Sequence, residues 1–164
     1  MDDARLRPRF VIVGLFQACD PGASFSRGSW PAHVTLAGNF VVDAPPRDLA
    51  EAVGSLGLSR TAIPIRFGER AAFGPGRDIS VRLVTSSVVT ALHDRLADVL
   101  ETQPGFAADE PAYWRSGYRA HLTLTPAVSV ARDETRTLRY VVLSELSREE
   151  ARVVAAWDLG EAGG

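Results

Sequence analysis

The chain has 164 residues, 46% of them apolar and 23% charged, and a net charge of −2. At this length that balance supports one well-cored domain, excludes wholesale disorder, and excludes a protein that coats nucleic acid through a broad basic surface. All 18 basic residues are arginine, which excludes a lysyl-nucleotide intermediate, a Schiff base and a Walker-type phosphate loop, because each needs a lysine amine.

Phe10 to Phe16 is a continuous β-prone apolar run, the pattern of a central strand buried on both faces. Gln17 to Pro31 is broken by Pro21-Gly22 and Gly28 and reads as a loop, too short for a helix, with Phe25, Arg27 and Trp30 as its large side chains. It also holds Cys19, the single cysteine, so neither a disulfide framework nor a cysteine-based zinc site is expected. A strand from His33 to Val42 follows. After Pro45-Pro46, Asp48 and Glu51 have the spacing of a capping box for a short helix with Leu49, Val53 and Leu56 on its apolar side.

Ile63, Ile65 and Phe67 alternate with Pro64, Arg66 and Gly68, and Ile79, Val81 and Leu83 resume the alternation after Gly74-Pro75-Gly76, which predicts a hairpin. Ser86 or Ser87 is placed to cap a helix carrying Val88, Leu92, Leu96, Val99 and Leu100, ended by Pro104-Gly105. His93 lies beside that stripe and is expected to be exposed or half-exposed. Residues 105 to 117 form a second loop, with Tyr113, Trp114 and Arg115, that mirrors the loop before His33. Beyond a second short strand and a polar stretch from Arg132 to Arg136, two strands, Arg139 to Leu143 and Val153 to Trp157, are joined by a turn near Arg148 to Glu150. The Gly163-Gly164 tail is expected to fray. No apolar run approaches the roughly 20 residues that span a bilayer, and Met1-Asp2-Asp3 lacks the layout of a signal peptide, so a cytoplasmic location is expected.

The tetrapeptide His-x-Thr-Leu occurs twice, as His33-Val34-Thr35-Leu36 and His121-Leu122-Thr123-Leu124, and uses two of the three histidines in the chain. Alanine precedes both copies. They lie about half a chain apart, which suggests two related halves, each delivering one histidine to a shared site. In a strand, residues two apart share a face, so His33 emerges with Thr35 and His121 with Thr123, while Val34, Leu36, Leu122 and Leu124 turn to the core. Two imidazoles and two hydroxyls lining one groove suit phosphodiester chemistry. One imidazole takes a proton from the attacking hydroxyl or water, the other gives one to the leaving oxygen, and the threonines donate to the non-bridging oxygens. No metal or other cofactor is required. Two histidines without a nearby carboxylate or thiolate are a poor zinc set, yet zinc remains an alternative, as does a repeat that has kept its residues without activity.

The motifs Pro31-Ala32-His33-Val34-Thr35-Leu36 and Arg119-Ala120-His121-Leu122-Thr123-Leu124 resemble those of the two-histidine phosphoesterase superfamily, which contains 2′-5′ RNA ligase-like proteins and cyclic phosphodiesterases. The resemblance covers most of the chain. It implies an α+β bilobal fold: two mostly antiparallel sheets facing a central cleft, helices outside, and residues 1–164 forming a single domain of two pseudo-symmetric halves. It implies that His33 and His121 are catalytic and that Thr35 and Thr123 bind phosphate, with RNA termini or small nucleotides carrying a cyclic phosphate as partners and no obligate protein partner. Arg119 shares the face of His121 and is a candidate substrate contact. Trp30, Phe25 and Trp114 are candidates for base stacking, and Arg27, Arg115, Arg66 and Arg82 for a positive lining. Tyr118 falls on the opposite face by parity and is assigned to packing. The alternative to an enzyme is a module that holds a nucleotide or RNA end without turning it over.

Overall fold

The computed structural model describes residues 7–58 and 61–160. The expected frayed tail at Gly163-Gly164 lies outside the described residues. The first half contributes β1 (Arg9–Leu15), β2 (Ser24–Ser26), β3 (His33–Val41) and α1 (Pro46–Gly54), followed by the hairpin β4 (Ile63–Phe73) and β5 (Ile79–Thr85). Then come α2 (Ser87–Leu100), β6 (Ala107–Ala108), two single 3₁₀ turns at Pro111–Tyr113 and Arg115–Gly117, β7 (His121–Thr123), β8 (Thr135–Leu138), β9 (Tyr140–Leu146) and β10 (Glu150–Asp158).

The strands pair in the order β2-β10-β9-β1-β3-β7-β5-β4-β8, with β6 added to β3, and every ladder is antiparallel. With two helices on the mostly antiparallel sheet the fold is α+β, as the motifs led us to expect. The two motif strands are neighbours in the sheet: β3 pairs with β7 at Val34 and Leu122. No helix among the described residues is long and apolar enough to cross a membrane.

β1 is buried along its whole length after Arg9 because it feeds two cores. Phe10 and Ile12 point into the main cluster with Val34, Leu36, Phe40, Phe67, Leu122 and Leu138. Val11, Val13 and Leu15 point the other way, into a smaller cluster with Val142 and Val153. The helices pack on the main cluster through Leu49 and Val53 of α1 and through Val89, Leu92, Leu96 and Leu100 of α2. Both helices therefore cover one face of the sheet, leaving the histidine face of β3 and β7 uncovered by helix.

Ser86 caps α2 as expected, its hydroxyl accepting from the Val89 N–H at 3.1 Å. The capping box at α1 does not form: the helix begins one turn earlier, with Pro45 at the cap and Pro46 in the first turn, where a missing N–H costs nothing. The buried stripe of α2 is Val89, Leu92, His93, Leu96, Ala97 and Leu100, and Val88 is 54% exposed. His93 is thus not an exposed residue but a fully buried one. Its burial is compatible with polarity because both ring nitrogens are satisfied: Nδ1–H donates to the Leu36 carbonyl at 2.7 Å, and Nε2 accepts from the Arg115 backbone N–H at 3.0 Å. That pairing requires the neutral ring, and burial accordingly pushes its pKa below the ordinary value.

His93→Ala is expected to destabilise the fold by about 3 kcal/mol, since it empties a packed site and orphans a buried carbonyl and N–H. The urea midpoint checks this. The three histidine pKa values are all lowered on folding, so the stability they contribute is complete above the unfolded value near 6.5 and is lost as pH falls through the lower folded values.

Candidate active site

The register Val34 opposite Leu122 has a direct consequence in an antiparallel pair: His33 sits across from Thr123, and Thr35 across from His121. Val34 and Leu122 are fully buried below, and all four polar residues lie half-buried on the opposite face. Leu36 is buried as expected, whereas Leu124, just past the end of β7, is only partly so. Each histidine is therefore flanked by the threonine of the other motif.

The two imidazoles have matching surroundings. His33 Nδ1–H donates to the Pro31 carbonyl at 2.7 Å and His121 Nδ1–H to the Arg119 carbonyl at 2.8 Å, the carbonyl two residues upstream in both cases. This fixes the tautomer and leaves each Nε2 for a ligand. Each ring also meets an aromatic edge at a centroid distance of 4.5 Å, Trp30 for His33 and Phe73 for His121. Burial lowers both pKa values from the ordinary imidazole range, opposed by the carbonyl hydrogen bonds, and the nearness of His121 lowers that of His33 further. Among the described residues, no protein group hydrogen-bonds either Nε2 or either threonine hydroxyl.

A cavity of about 580 Å³ opens beside this pair, within the size range of small-ligand sites. Thr35, Thr123, His121 and Arg119 line it, with Phe73, Tyr113, Trp114 and Tyr118 as aromatic walls and Asn39, Asp109 and Glu110 as polar ones. His33 is not part of that lining and stands against Trp30. The second loop reaches the cavity because Gly117 lets its two 3₁₀ turns close: a Cβ there would collide with the Ala112 carbonyl. Tyr118 then stacks on His93 at 4.0 Å and donates its hydroxyl to the Thr35 carbonyl at 2.7 Å. It is both a packing residue, as expected, and a wall of the cavity.

The candidate contacts divide. Arg119 reaches the cavity, its guanidinium 5.2 Å from the centre of the Phe73 ring. Trp114 lines the cavity, but its indole N–H is engaged by Glu101 at 3.2 Å. Phe25 is not part of the cavity lining: β2 pairs with β10 at the far edge of the sheet, and the ring packs on the smaller core cluster. Arg27 donates to the Ser147 carbonyl at the β9–β10 turn. Arg115 is an anchor instead of a lining residue, ion-paired to Asp98 and Glu101 on α2. Arg66 pairs with Asp133, and Arg82 donates to the Val130 and Gly68 carbonyls, and neither lines the cavity.

Phe73, Asn39 and Glu110 are site-lining residues that sequence reasoning missed. Phe73 reads as core by parity with Phe67, but the β4–β5 register shifts between Phe67 and Arg70. That bulge inverts the faces, so Phe73 leaves the core side and joins His121. Asn39 lies an even number of residues from His33 and Thr35, so strand alternation already placed it on their face, and the two one-residue shifts of β3 against β1 leave that parity unchanged. For Glu110 the only signal was its place in the second aromatic loop.

Comparison with known proteins follows the same lines. No match was found among curated proteins. Among solved structures, a crystal structure described as a phosphoesterase aligns over 94% of this chain and 99% of its own, with a TM-score of 0.59 and 13% identity. TT0787 of Thermus thermophilus aligns over 92% and 97%, with a TM-score of 0.56 and 16% identity. LigT of E. coli in complex with 3′-AMP aligns over 93% and 98%, with a TM-score of 0.55 and 13% identity. At these identities the likeness is one of fold. The sequence profile of the 2′-5′ RNA ligase superfamily matches residues 8–161, nearly the whole chain, and the protein belongs to that superfamily.

Proposed function

We propose that this protein is a cyclic phosphodiesterase that opens 2′,3′-cyclic phosphates by two-histidine acid/base catalysis without a metal. The observation that carries the reading is the Val34–Leu122 register, which sets two imidazoles with unpartnered Nε2 atoms and two free threonine hydroxyls on one face beside the cavity. In the reaction the neutral imidazole of the His33/His121 pair takes a proton from water as its oxygen bonds to phosphorus. The protonated imidazole donates to the ribose oxygen as its P–O bond breaks, leaving a nucleotide monoester. Thr35 and Thr123 donate to the non-bridging oxygens, whose charge grows in the transition state. The crystal complexes of E. coli LigT with 3′-AMP and with ATP lend support, since in that protein the same fold is found with nucleotides.

Incubation with the four nucleoside 2′,3′-cyclic phosphates in the presence of EDTA is expected to yield monophosphate. Binding without product would favour a non-catalytic nucleotide module, and activity lost to chelator would favour a metal. The pH profile provides a second check. Both histidine pKa values lie below the ordinary 6.5 in the free protein, so the bell for kcat/KM is expected to peak on the acid side of 6.5. A bound phosphate anion raises both values, which moves the kcat bell to higher pH than the kcat/KM bell. A kcat/KM optimum above about pH 7.5 would contradict this.

A further inference from the structure

We infer that Tyr118 is a positioning residue for the reaction: braced by His93, its hydroxyl holds the Thr35 peptide and so keeps the Thr35 side chain in place. The inference rests on the reading of Thr35 as a phosphate ligand and adds a residue that acts through it. β3 needs a hold at this point. Against β1, Val13 lies opposite Thr35 and Ile12 opposite Ala37, so Leu36 is an extra residue in β3, and a ladder leaves the extra residue of a bulge unpaired. On the other side the ladder with β7 is the single pair Val34 with Leu122, and β3 is next engaged at Asn39, whose carbonyl accepts from the Asp109 N–H at 2.9 Å. Among the described residues, no strand pairs with that edge between these two points. Two side chains supply the donors instead. Tyr118 donates to the Thr35 carbonyl at 2.7 Å, and His93 Nδ1–H to the following one, Leu36, also at 2.7 Å.

The two donors are braced together. Their rings stack at 4.0 Å with planes 1° apart, Trp114 meets His93 edge-on at 5.0 Å, and His93 Nε2 accepts from the Arg115 N–H at 3.0 Å. Arg115, left-handed at φ 60°, is in turn tied to Asp98 and Glu101 of α2. The phenol is thereby fixed from helix, loop and strand at once. Burial pushes its pKa up, so the hydroxyl remains a donor through neutral pH. A phenylalanine ring would fill the same stack. What the hydroxyl adds is a hold on the Thr35 peptide plane, which sets the direction of the Cα–Cβ bond. Threonine is stiff at χ1, so a shift of that plane carries through to its hydroxyl. A misplacement of about 1 Å can cost about 10²-fold in rate.

The test is Tyr118→Phe, which keeps the ring and removes the hydroxyl, assayed on nucleoside 2′,3′-cyclic phosphates at a temperature where circular dichroism shows the variant folded. Thr35 lines the cavity, so water can take up its carbonyl and the fold should survive. We expect kcat to fall about tenfold with KM nearly unchanged. In a Thr35→Val background the same change should cost less than about twofold, whereas in a Thr123→Val background it should keep its cost of about tenfold. Equal costs in the two backgrounds overturn the inference, since loosening of the whole fold, or direct contact of the phenol with substrate, would give that result. An unchanged kcat overturns it as well. A readout that needs no turnover separates this inference from the catalytic reading. By NMR, the order parameter of the Thr35 methyl should fall in Tyr118→Phe while that of the Thr123 methyl holds. If the unaltered protein turns over no cyclic phosphate, the catalytic reading fails and the hold on Thr35 is decided by the methyls alone, an unmoved Thr35 methyl overturning it.

Discussion

Replacement of His33 or His121 by alanine is expected to lower kcat/KM toward a nucleoside 2′,3′-cyclic phosphate by about 10²- to 10⁴-fold, the range over which a positioned general acid or base contributes. Each change removes one proton-transfer partner while leaving the other imidazole in place. The double variant should fall little further than the worse single one, because two groups that act in one transition state do not contribute additively. Both rings are only half-buried and their one protein hydrogen bond is to a local carbonyl, so the fold should survive and circular dichroism should be unchanged. Full turnover in either variant would rule out the two-histidine mechanism.

Thr35→Val and Thr123→Val should each lower kcat by about 10²-fold, comparable to the loss of one oxyanion donor. Valine keeps the shape and the β-propensity of threonine, so these substitutions remove a hydroxyl and little else. The effect should fall on kcat more than on KM if the hydroxyls meet charge that develops in the transition state. The cross-strand arrangement adds a finer expectation. Thr123 sits across from His33 and Thr35 across from His121, so Thr123→Val combined with His33→Ala should be less than additive. A purely structural threonine would leave kcat unchanged and alter the urea midpoint instead.

The contrast between the two loops shows where reasoning from pattern stops. Tyr113, Trp114 and Arg115 were visible as large side chains close to the second motif, yet the structure gives them three different tasks. Tyr113 faces the cavity rim. Trp114 lines the cavity with its N–H held by Glu101, and Arg115 ties the loop to α2 with a left-handed backbone, φ 60°. Nothing in local spacing separates these outcomes, because each depends on what α2 presents across a distance of many residues. His93 is the same case. Its position one turn after buried Val89 and next to buried Leu92 marks a core site, but only the meeting of the Leu36 carbonyl and the Arg115 N–H explains how a histidine can occupy it.

The sequence by itself determined the central feature. Repetition of His-x-Thr-Leu, together with the period of two in a strand, put His33 with Thr35 and His121 with Thr123, each pair on one face of its own strand with Val34 or Leu122 on the other, and side-chain alternation is a local property of extended backbone. It also determined both helices, the central hairpin and the closing strand pair, through local hydrophobic periodicity and breakers. Only the tertiary structure decided the register that pairs Val34 with Leu122, which crosses each histidine with the other motif's threonine. It likewise decided the bulge that turns Phe73 from the core to His121 and the diversion of Phe25, Arg27 and Arg115 away from the cleft. Those outcomes arise from pairing between strands and from contacts distant along the chain, and a one-residue slip in register changes the face of every side chain beyond it.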